Sequence, residues 1–184
     1  RFSNIKGKII RRKEEEIVKK IFDEFNERMN ILDIPCGTGR FSYILKEYST
    51  EITGADLSQR MLDYSRKSGN YSRLLKCEIE NLPFSDREFD VLFCFRLFHH
   101  LPGEVRAKAL REISRVTKKY FIFSFYNRYS ISGFIKKIIL QRSFYTMTQE
   151  QMKNEIPQEF KLVKVFKLLP LVAGETVFVC EKNK

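Results

Sequence analysis

The chain has 184 residues, a formal net charge of +11 and a hydrophobic fraction of 43%. A chain of this length is expected to form one domain and to bury roughly 70% of the surface of its unfolded state, which leaves no room for a second catalytic domain. No apolar run approaches the ~20 residues of a membrane-spanning helix, and no signal sequence is visible. We therefore interpret residues 1–184 as a single domain.

Four cysteines lie in or beside predicted strands, without the spacing of a metal site: Cys36, Cys77, Cys94 and Cys180. Free thiols of this kind behave as small buried apolar groups, and they persist in a reducing compartment. We therefore expect a cytoplasmic protein with neither a disulfide framework nor a bound metal.

The net charge of +11 would attract polyanions such as nucleic acid, anionic lipid or an acidic saccharide. A biased genomic composition explains the same excess without any partner. Runs of mixed sign, such as residues 11–16, are also typical of solvated helix faces. A nucleic-acid partner is compatible with the charge, but the sequence does not favour it.

The first predicted element is an amphipathic helix over residues 13–25, because Ile17 and Ile21 recur at helical spacing within an N-terminal helical segment of residues 1–28. An apolar strand over residues 29–33 follows and ends in a carboxylate. A turn and a second helix come next.

Two glycines mark the turn after this strand, before a helix from Arg40. Gly37 and Gly39 allow the backbone to turn tightly and to approach a ligand. Asp56 closes the second strand, at about the distance at which an acid in a nucleotide-binding βαβ unit reaches a ribose hydroxyl. The pattern therefore predicts a nucleoside ligand, and a tight turn without a ligand is the alternative.

The turn departs from the dinucleotide-binding pattern at Ser42, where that pattern has its third glycine. This difference weakens pyrophosphate binding and disfavours NAD. Asp33, at the mouth of the site, suits a ligand with an ammonium or sulfonium better than one with phosphates, because like charges repel in a partly desolvated cleft. These residues indicate S-adenosylmethionine (SAM).

Strands and helices continue to alternate along the rest of the chain. Ser58 is a candidate N-cap, and residues 148–151 have the pattern of a capping box. Further strands are predicted at residues 73–77, 90–95, 120–125, 160–166 and 176–181, with a helix at residues 104–117. This alternation implies a mostly parallel sheet that is covered by helices on both faces.

Four stretches resemble the class I SAM-dependent methyltransferases, in particular the small enzymes of the ubiquinone and menaquinone pathways: residues 31–41, 55–58, 77–84 and 89–102. The resemblance implies a Rossmann-like three-layer α/β sandwich with a seven-stranded, mostly parallel sheet of order 3-2-1-4-5-7-6. It also implies SAM as methyl donor and S-adenosylhomocysteine (SAH) as product.

The same resemblance assigns cofactor contacts. Residues 77–84 match the adenine-contacting segment, although Glu78 and Ile79 stand where the family commonly has Asp and Ala. Phe95 matches a position that contacts the aminoacyl portion of the cofactor, and a core aromatic explains it equally. The expected cofactor-binding residues are Asp33, Pro35, Cys36, Gly37, Gly39, Asp56, Leu57, Met61, Glu78, Ile79 and Phe95.

His99 and His100 are the only histidines of the chain, and they follow the fourth predicted strand. A neutral imidazole can accept a proton near pH 7. In the resembled quinone-pathway O-methyltransferases a histidine matches His100, whereas the position of His99 is often acidic. Both residues, His100 first, are candidate general bases, and a ring that packs within the loop is the alternative for one of them. Two adjacent histidines alone do not predict a metal site.

Arg96 stands in an apolar run, where an arginine requires an anionic partner. The cofactor carboxylate, an acidic substrate, Asp33 and Glu78 are the candidates. Arg96 forms the expected substrate-binding set together with Tyr126 and Arg128.

A cap-like insertion is predicted over residues 126–150. It contains an apolar stripe with basic neighbours, a pattern that suits a helix over a substrate pocket, a helix on an anionic membrane or an ordinary packed helix. We favour the cap or the packed helix.

The sequence therefore predicts a SAM-dependent methyltransferase that acts on an O or N atom of a small or medium-sized acceptor. An RNA methyltransferase is the alternative enzyme, which the basic charge alone suggests. A SAM- or nucleoside-binding module without transfer activity is the alternative outside catalysis.

Overall fold

The computed structural model describes residues 2–127, 145–168 and 174–183, with side chains from residue 7 onward. The strands of this part are β1 (Met29–Asp33), β2 (Ser49–Asp56), β3 (Arg73–Lys76), β4 (Phe89–Cys94), β5 (Thr117–Tyr126), β6 (Phe160–Leu168) and β7 (Glu175–Lys182). Its α-helices are α1 (Phe2–Phe22), α2 (Ser42–Glu47), α3 (Gln59–Arg66), α4 (Gly103–Val116) and α5 (Gln149–Glu155).

The strands form one sheet of order β3-β2-β1-β4-β5-β7-β6. Strands β1 to β5 pair in parallel, and β7 runs antiparallel between β5 and β6. The predicted Rossmann-like sandwich and its strand order are confirmed. The order reverses between β1 and β4, so a ligand crevice is expected at the carboxyl ends of these two strands.

The central strands bury both of their faces. Ile31 and Val91 contribute to the apolar cluster of α1 and α2, whereas Leu32 and Leu92 contribute to the cluster of α4 and α5. All four side chains are fully buried. Successive strand residues point to opposite faces, which explains why these strands are continuous apolar runs in the sequence.

The first helix is longer than predicted. It begins at Phe2 instead of residue 13, and it ends at Phe22 instead of residue 25. Exposed ion pairs such as that between Arg11 and Glu15 stabilise its polar part, where apolar spacing gives no signal.

The two predicted helix caps are confirmed. The Ser58 side chain accepts a hydrogen bond from the Met61 N–H at the start of α3, and Thr148 with Gln151 forms a capping box at the start of α5. Most of the predicted cap-like insertion, residues 128–144 with Arg128, lies outside the described residues.

Gly54, in the middle of β2, is required by a close contact. A Cβ atom at this position would lie 2.8 Å from two carbon atoms of the Tyr71 ring and 2.7 Å from Leu74 Cδ2. Tyr71 precedes β3, the strand next to β2, so its ring lies against β2 at Gly54. A glycine inside a strand often marks such an approach.

We expect Gly54→Ala to lower the free energy of unfolding by about 1–3 kcal/mol, because the added methyl group overpacks the site. Urea denaturation measures the change. The matched control is Gly7→Ala in α1, where no atom lies within 4 Å of an added Cβ. That substitution should be neutral or stabilising by up to ~1 kcal/mol. An unchanged midpoint for Gly54→Ala would show that the Tyr71 ring and the Leu74 side chain move aside without cost.

Candidate active site

The glycine turn between β1 and α2 is held to neighbouring elements by hydrogen bonds. Gly37 and Gly39 have φ angles of +56° and +76°, which glycine adopts far more readily than other residues. The Cys36 N–H donates to the Ala55 carbonyl at 2.8 Å, and Ser65 Oγ donates to the Gly37 carbonyl at 2.8 Å. The turn is therefore held against β2 and α3.

Asp56, the last residue of β2, joins the turn to the start of α3. Its Oδ2 accepts the N–H of Gly37 at 2.9 Å, and its Oδ1 accepts the N–H of Ser58 at 2.9 Å. A carboxylate oxygen has two lone pairs, so each oxygen can accept a further hydrogen bond from a ligand hydroxyl. This capacity fits the predicted contact with a ribose.

A cavity of about 310 Å³ opens beside Asp56 at the carboxyl ends of β1, β2 and β3. Its lining is largely apolar and consists of Ile34, Pro35, Asp56, Leu57, Cys77, Glu78, Ile79, Glu80, Leu97 and Leu101. Apolar walls with a few polar groups that fix orientation are typical of small-molecule sites. The walls suit a nucleobase, and the carboxylate suits its sugar.

Part of the predicted cofactor set lines this cavity: Pro35, Asp56, Leu57, Glu78 and Ile79. The other lining residues stand outside the expected set: Ile34, Cys77, Glu80, Leu97 and Leu101. Of these, Cys77 and Glu80 belong to residues 77–84, which match the adenine-contacting segment. Cys77 and Glu80 flank the predicted pair, and this adjacency was the available signal. Leu97 and Leu101 reach the cavity because β4 pairs with β1 in the sheet.

Four other predicted residues lie outside the lining of this cavity. Cys36, Gly37 and Gly39 form the turn. Met61 stands in the first turn of α3, where its N–H donates to Ser58 Oγ at 3.4 Å.

Phe95, the last of the predicted cofactor residues, lies in the aromatic core. Its ring stacks on Phe93 with centroids 4.5 Å apart, and it packs against Phe41 at 5.0 Å. Only 5% of the residue is exposed. Its observed contacts are those of the core aromatic.

Asp33, at the end of β1, is a buried carboxyl group. Tyr71 donates its hydroxyl hydrogen bond to Asp33 Oδ2 at 2.6 Å. Burial raises the pKa of Asp33 to about 7, the hydrogen bond from Tyr71 opposes this rise, and the nearby charge of Asp56 adds to it. No cation of the described residues contributes to this pKa. A buried carboxyl in these surroundings suits an ammonium or sulfonium of a ligand.

The histidines and Tyr126 come together at the ends of β4 and β5. His99 is buried, and its ring packs edge-on against Tyr126 with centroids 4.6 Å apart. The exposed His100 ring lies 4.0 Å from the His99 ring. Burial raises the pKa of the Tyr126 hydroxyl to about 12. Of these three side chains, His100 is the most accessible to a second substrate.

Arg96 follows β4 with a backbone φ of +60°, which is uncommon for a residue other than glycine. Its N–H donates to Ser124 Oγ at 2.9 Å, and its guanidinium pairs with Glu14 at 2.5 Å and with Glu175 at 3.5 Å. The partners within the described chain are therefore not Asp33 or Glu78, the two that the sequence suggested. Helix α1 and strand β7 supply the carboxylates instead.

Arg40 pairs with Glu14 as well, which completes an arginine–glutamate cluster: Glu14, Arg40, Arg96 and Glu175. The two glutamate side chains are 1% exposed, whereas those of Arg40 and Arg96 are 23% and 38% exposed. The two arginine side chains are therefore the more exposed members of the cluster, although the Nε atoms of both are buried. Sequence reasoning missed Glu14 because it belongs to a run of mixed charges that resembles a solvated face.

Two cysteines at the site have neutral thiols. Burial raises the pKa of Cys36 to about 12 and that of Cys77 to about 11. Within residues 2–127, 145–168 and 174–183, no three His, Cys, Asp or Glu side chains could jointly hold a metal ion. No helix in the same ranges has both the length and the apolar character needed to cross a bilayer.

The strand order, the glycine turn with Asp56 and the apolar cavity define a class I SAM-dependent methyltransferase. The methyltransferase domain family matches residues 32–123, half of the chain, and the chain belongs to this family. SAM is therefore its cofactor, and the buried Asp33 carboxyl and the cavity beside Asp56 fit the cationic and nucleoside ends of that molecule.

Curated relatives match the same part of the chain. A malonyl-[acyl-carrier protein] O-methyltransferase of Pectobacterium atrosepticum is 33% identical over 97 residues, which cover 53% of this chain and 38% of the relative. A demethylmenaquinone methyltransferase of Thermotoga maritima is 38% identical over 94 residues, 48% of this chain and 39% of the relative. The alignments thus span less than half of each relative's length.

Solved structures share the fold over most of the chain. The SAH-bound magnesium protoporphyrin IX methyltransferase from Synechocystis PCC 6803 superposes with a TM-score of 0.79 at 15% identity, covering 96% of this chain and 86% of that one. A SAM-dependent methyltransferase from Thermotoga maritima gives a TM-score of 0.75 at 22% identity, with coverages of 100% and 97%.

The raised pKa of Asp33 predicts a pH-dependent loss of stability. The folded-state pKa of about 7 exceeds the ordinary value of 3.8, so the folded chain keeps a proton that the unfolded chain loses between about pH 4 and 7. The contribution of Asp33 to stability therefore falls as the pH rises through this window. We expect the stability of Asp33→Asn relative to wild type to increase by about 2–3 kcal/mol from pH 5 to pH 8, measured by urea denaturation without cofactor. A difference that stays flat with pH would show that Asp33 is already ionised at pH 5.

Proposed function

We propose that this protein transfers the methyl group of SAM to an O or N atom of a small or medium-sized acceptor. The observation that carries the proposal is the adjacency of two different sites at one sheet edge. The nucleoside-sized cavity lies at β1 to β3, and His99, His100, Tyr126 and Arg96 lie at the ends of β4 and β5. Cofactor and acceptor would meet between them.

In this proposal, different residues contact different parts of the cofactor. Asp56 accepts hydrogen bonds from the ribose hydroxyls, and Glu78 and Ile79 lie along the adenine base. Asp33 holds the cationic aminoacyl end beside the glycine turn. SAM supplies a methyl group already activated on a sulfonium, so the protein's main tasks are to position the acceptor and to accept its proton.

His100 is the proposed general base, with His99 as its packed neighbour. The exposure of His100 at the sheet edge supports this order, because a base must reach the acceptor's proton. His99 is enclosed by His100 and Tyr126, so its ring can fix the orientation of the base.

The proposed acceptor carries a negative charge near the atom that is methylated. The partly exposed side chains of Arg40 and Arg96 support this choice, since a guanidinium has five N–H groups and those that its glutamate partners do not use can bind a carboxylate. The name of one relative, a malonyl-[acyl-carrier protein] O-methyltransferase, agrees with an acidic acceptor.

Transfer of labelled methyl from SAM tests the function. The panel of acceptors contains carboxylates paired with their carboxamide counterparts. It also contains phenols and amines, each with and without a carboxylate, and structured RNA. We expect SAH release with at least tenfold preference for the anionic member of a pair, the size of one charge-assisted hydrogen bond. RNA as the sole substrate would establish the RNA methyltransferase alternative. SAM binding without transfer to any acceptor would favour the non-catalytic module.

We expect His100→Ala to lower turnover by roughly 100-fold while SAH affinity and melting temperature stay near wild type, since general-base contributions have this size and the ring is exposed. The comparison variant is His99→Ala, which should lower the free energy of unfolding by on the order of 2 kcal/mol because it removes a buried ring. Turnover within a few-fold of wild type for His100→Ala would mean that positioning alone carries the reaction.

A further inference from the structure

Tyr71, between α3 and β3, contacts two parts of the cofactor site and the strand beside them. Its hydroxyl donates to Asp33 Oδ2 at 2.6 Å. Its ring fills the space over Gly54, and a Cβ atom added to Gly39 would lie 3.3 Å from the same ring. One side chain thus touches the carboxyl at the end of β1, the middle of β2 and the glycine turn.

We propose that Tyr71 is a positioning residue for the cofactor, which fixes the Asp33 carboxylate and the glycine turn in the arrangement that receives the cationic aminoacyl end. The inference rests on the role of Asp33 in the proposed function. Tyr71 does not contribute to the lining of the nucleoside cavity, so it acts through Asp33 and the turn.

The surroundings of Asp33 make the hydrogen bond from Tyr71 especially important for the ionisation of this carboxyl group. The titratable groups that face Asp33 come from four elements: Tyr71, Asp56 at the end of β2, Cys36 in the turn and Cys94 in β4. The charge of Asp56 disfavours ionisation of Asp33, and both thiols are neutral because burial raises their pKa. Among the described groups, it is the hydroxyl of Tyr71 that lowers the pKa of Asp33.

This arrangement couples cofactor affinity to protonation. An ammonium binds to the ionised form of Asp33, so the affinity should fall as the pH drops below the pKa of about 7. Loss of the Tyr71 hydroxyl raises that pKa further. The pH at which the affinity is half-maximal must then move upward, whereas a purely structural defect would weaken binding equally at every pH.

Calorimetry with SAH between pH 5.5 and 8.5 tests the inference on wild type, Tyr71→Phe and Tyr48→Phe. Tyr48 is the matched control, because its hydroxyl also donates to an aspartate, Asp23, but outside the cofactor site. For a shift of about one pH unit, Tyr71→Phe should bind SAH about fivefold more weakly at pH 7 and less than twofold more weakly at pH 8.5. Tyr48→Phe should follow the wild-type profile.

A second probe, 5′-methylthioadenosine, has the nucleoside but not the amino-acid group. Its affinity should not depend on pH in this range and should be similar in wild type and Tyr71→Phe. Asp33→Asn, which keeps the tyrosine in place, tests the contact of Asp33 with the cofactor on its own. In that variant, SAH should bind more weakly than to wild type at pH 8 and without pH dependence.

The outcomes separate the inference from the proposal beneath it. An equal loss of SAH affinity at all pH values in Tyr71→Phe, or no loss at all, would overturn the positioning role while leaving Asp33 as a cofactor contact. A wild-type SAH affinity without pH dependence would overturn the coupling through Tyr71, and an Asp33→Asn variant that binds SAH as tightly as wild type at pH 8 would overturn the role of Asp33 itself. Parallel pH profiles for SAH and methylthioadenosine would do the same, because the nucleoside alone would then account for the coupling.

Discussion

The carboxylate of Asp56 holds together the two segments on which the site depends. Its oxygens accept the backbone N–H groups of Gly37 and Ser58, so the turn after β1 and the start of α3 are fixed to the end of β2 by one side chain. This explains why the cavity lies where it does. It also gives Asp56 a structural role that is compatible with its proposed contact to the ribose, because each oxygen keeps accepting capacity.

Buried carboxyl groups divide the sheet edge into two electrostatic regions. On the β1–β2 side, Asp33 has a hydroxyl partner in Tyr71 and its pKa is raised by burial. On the β4–β7 side, the glutamates of the arginine–glutamate cluster are buried beneath guanidiniums. The first region favours a cation, whereas in the second the arginine side chains are more exposed than the glutamates with which they pair. A cationic cofactor and an anionic acceptor would suit these two regions.

Helix α1 contributes to the arginine–glutamate cluster as well as to the core. Its last turns bury Val18 and Phe22 against the sheet, and one turn earlier Glu14 pairs with Arg40 and Arg96. Arg96 is held in its uncommon backbone conformation by Ser124 together with this ion pair and that to Glu175. Backbone conformations of this kind persist only where the surroundings fix them, and they are concentrated at functional sites.

The sequence by itself determined the order of the elements, the parallel sheet and the glycine turn with Asp56, because these depend on local periodicity, on glycine's backbone freedom and on a fixed spacing along the chain. It also indicated that the first strand ends in a carboxylate, Asp33, which the structure shows to be buried. Only the tertiary structure decided the partners of the charged groups, since Glu14, Tyr71 and Glu175 reach the site from elements distant in sequence. It likewise decided which histidine is buried, because two adjacent residues of a short turn differ only in what packs against them. Local patterns specify elements, whereas burial and pairing of charge depend on how those elements meet.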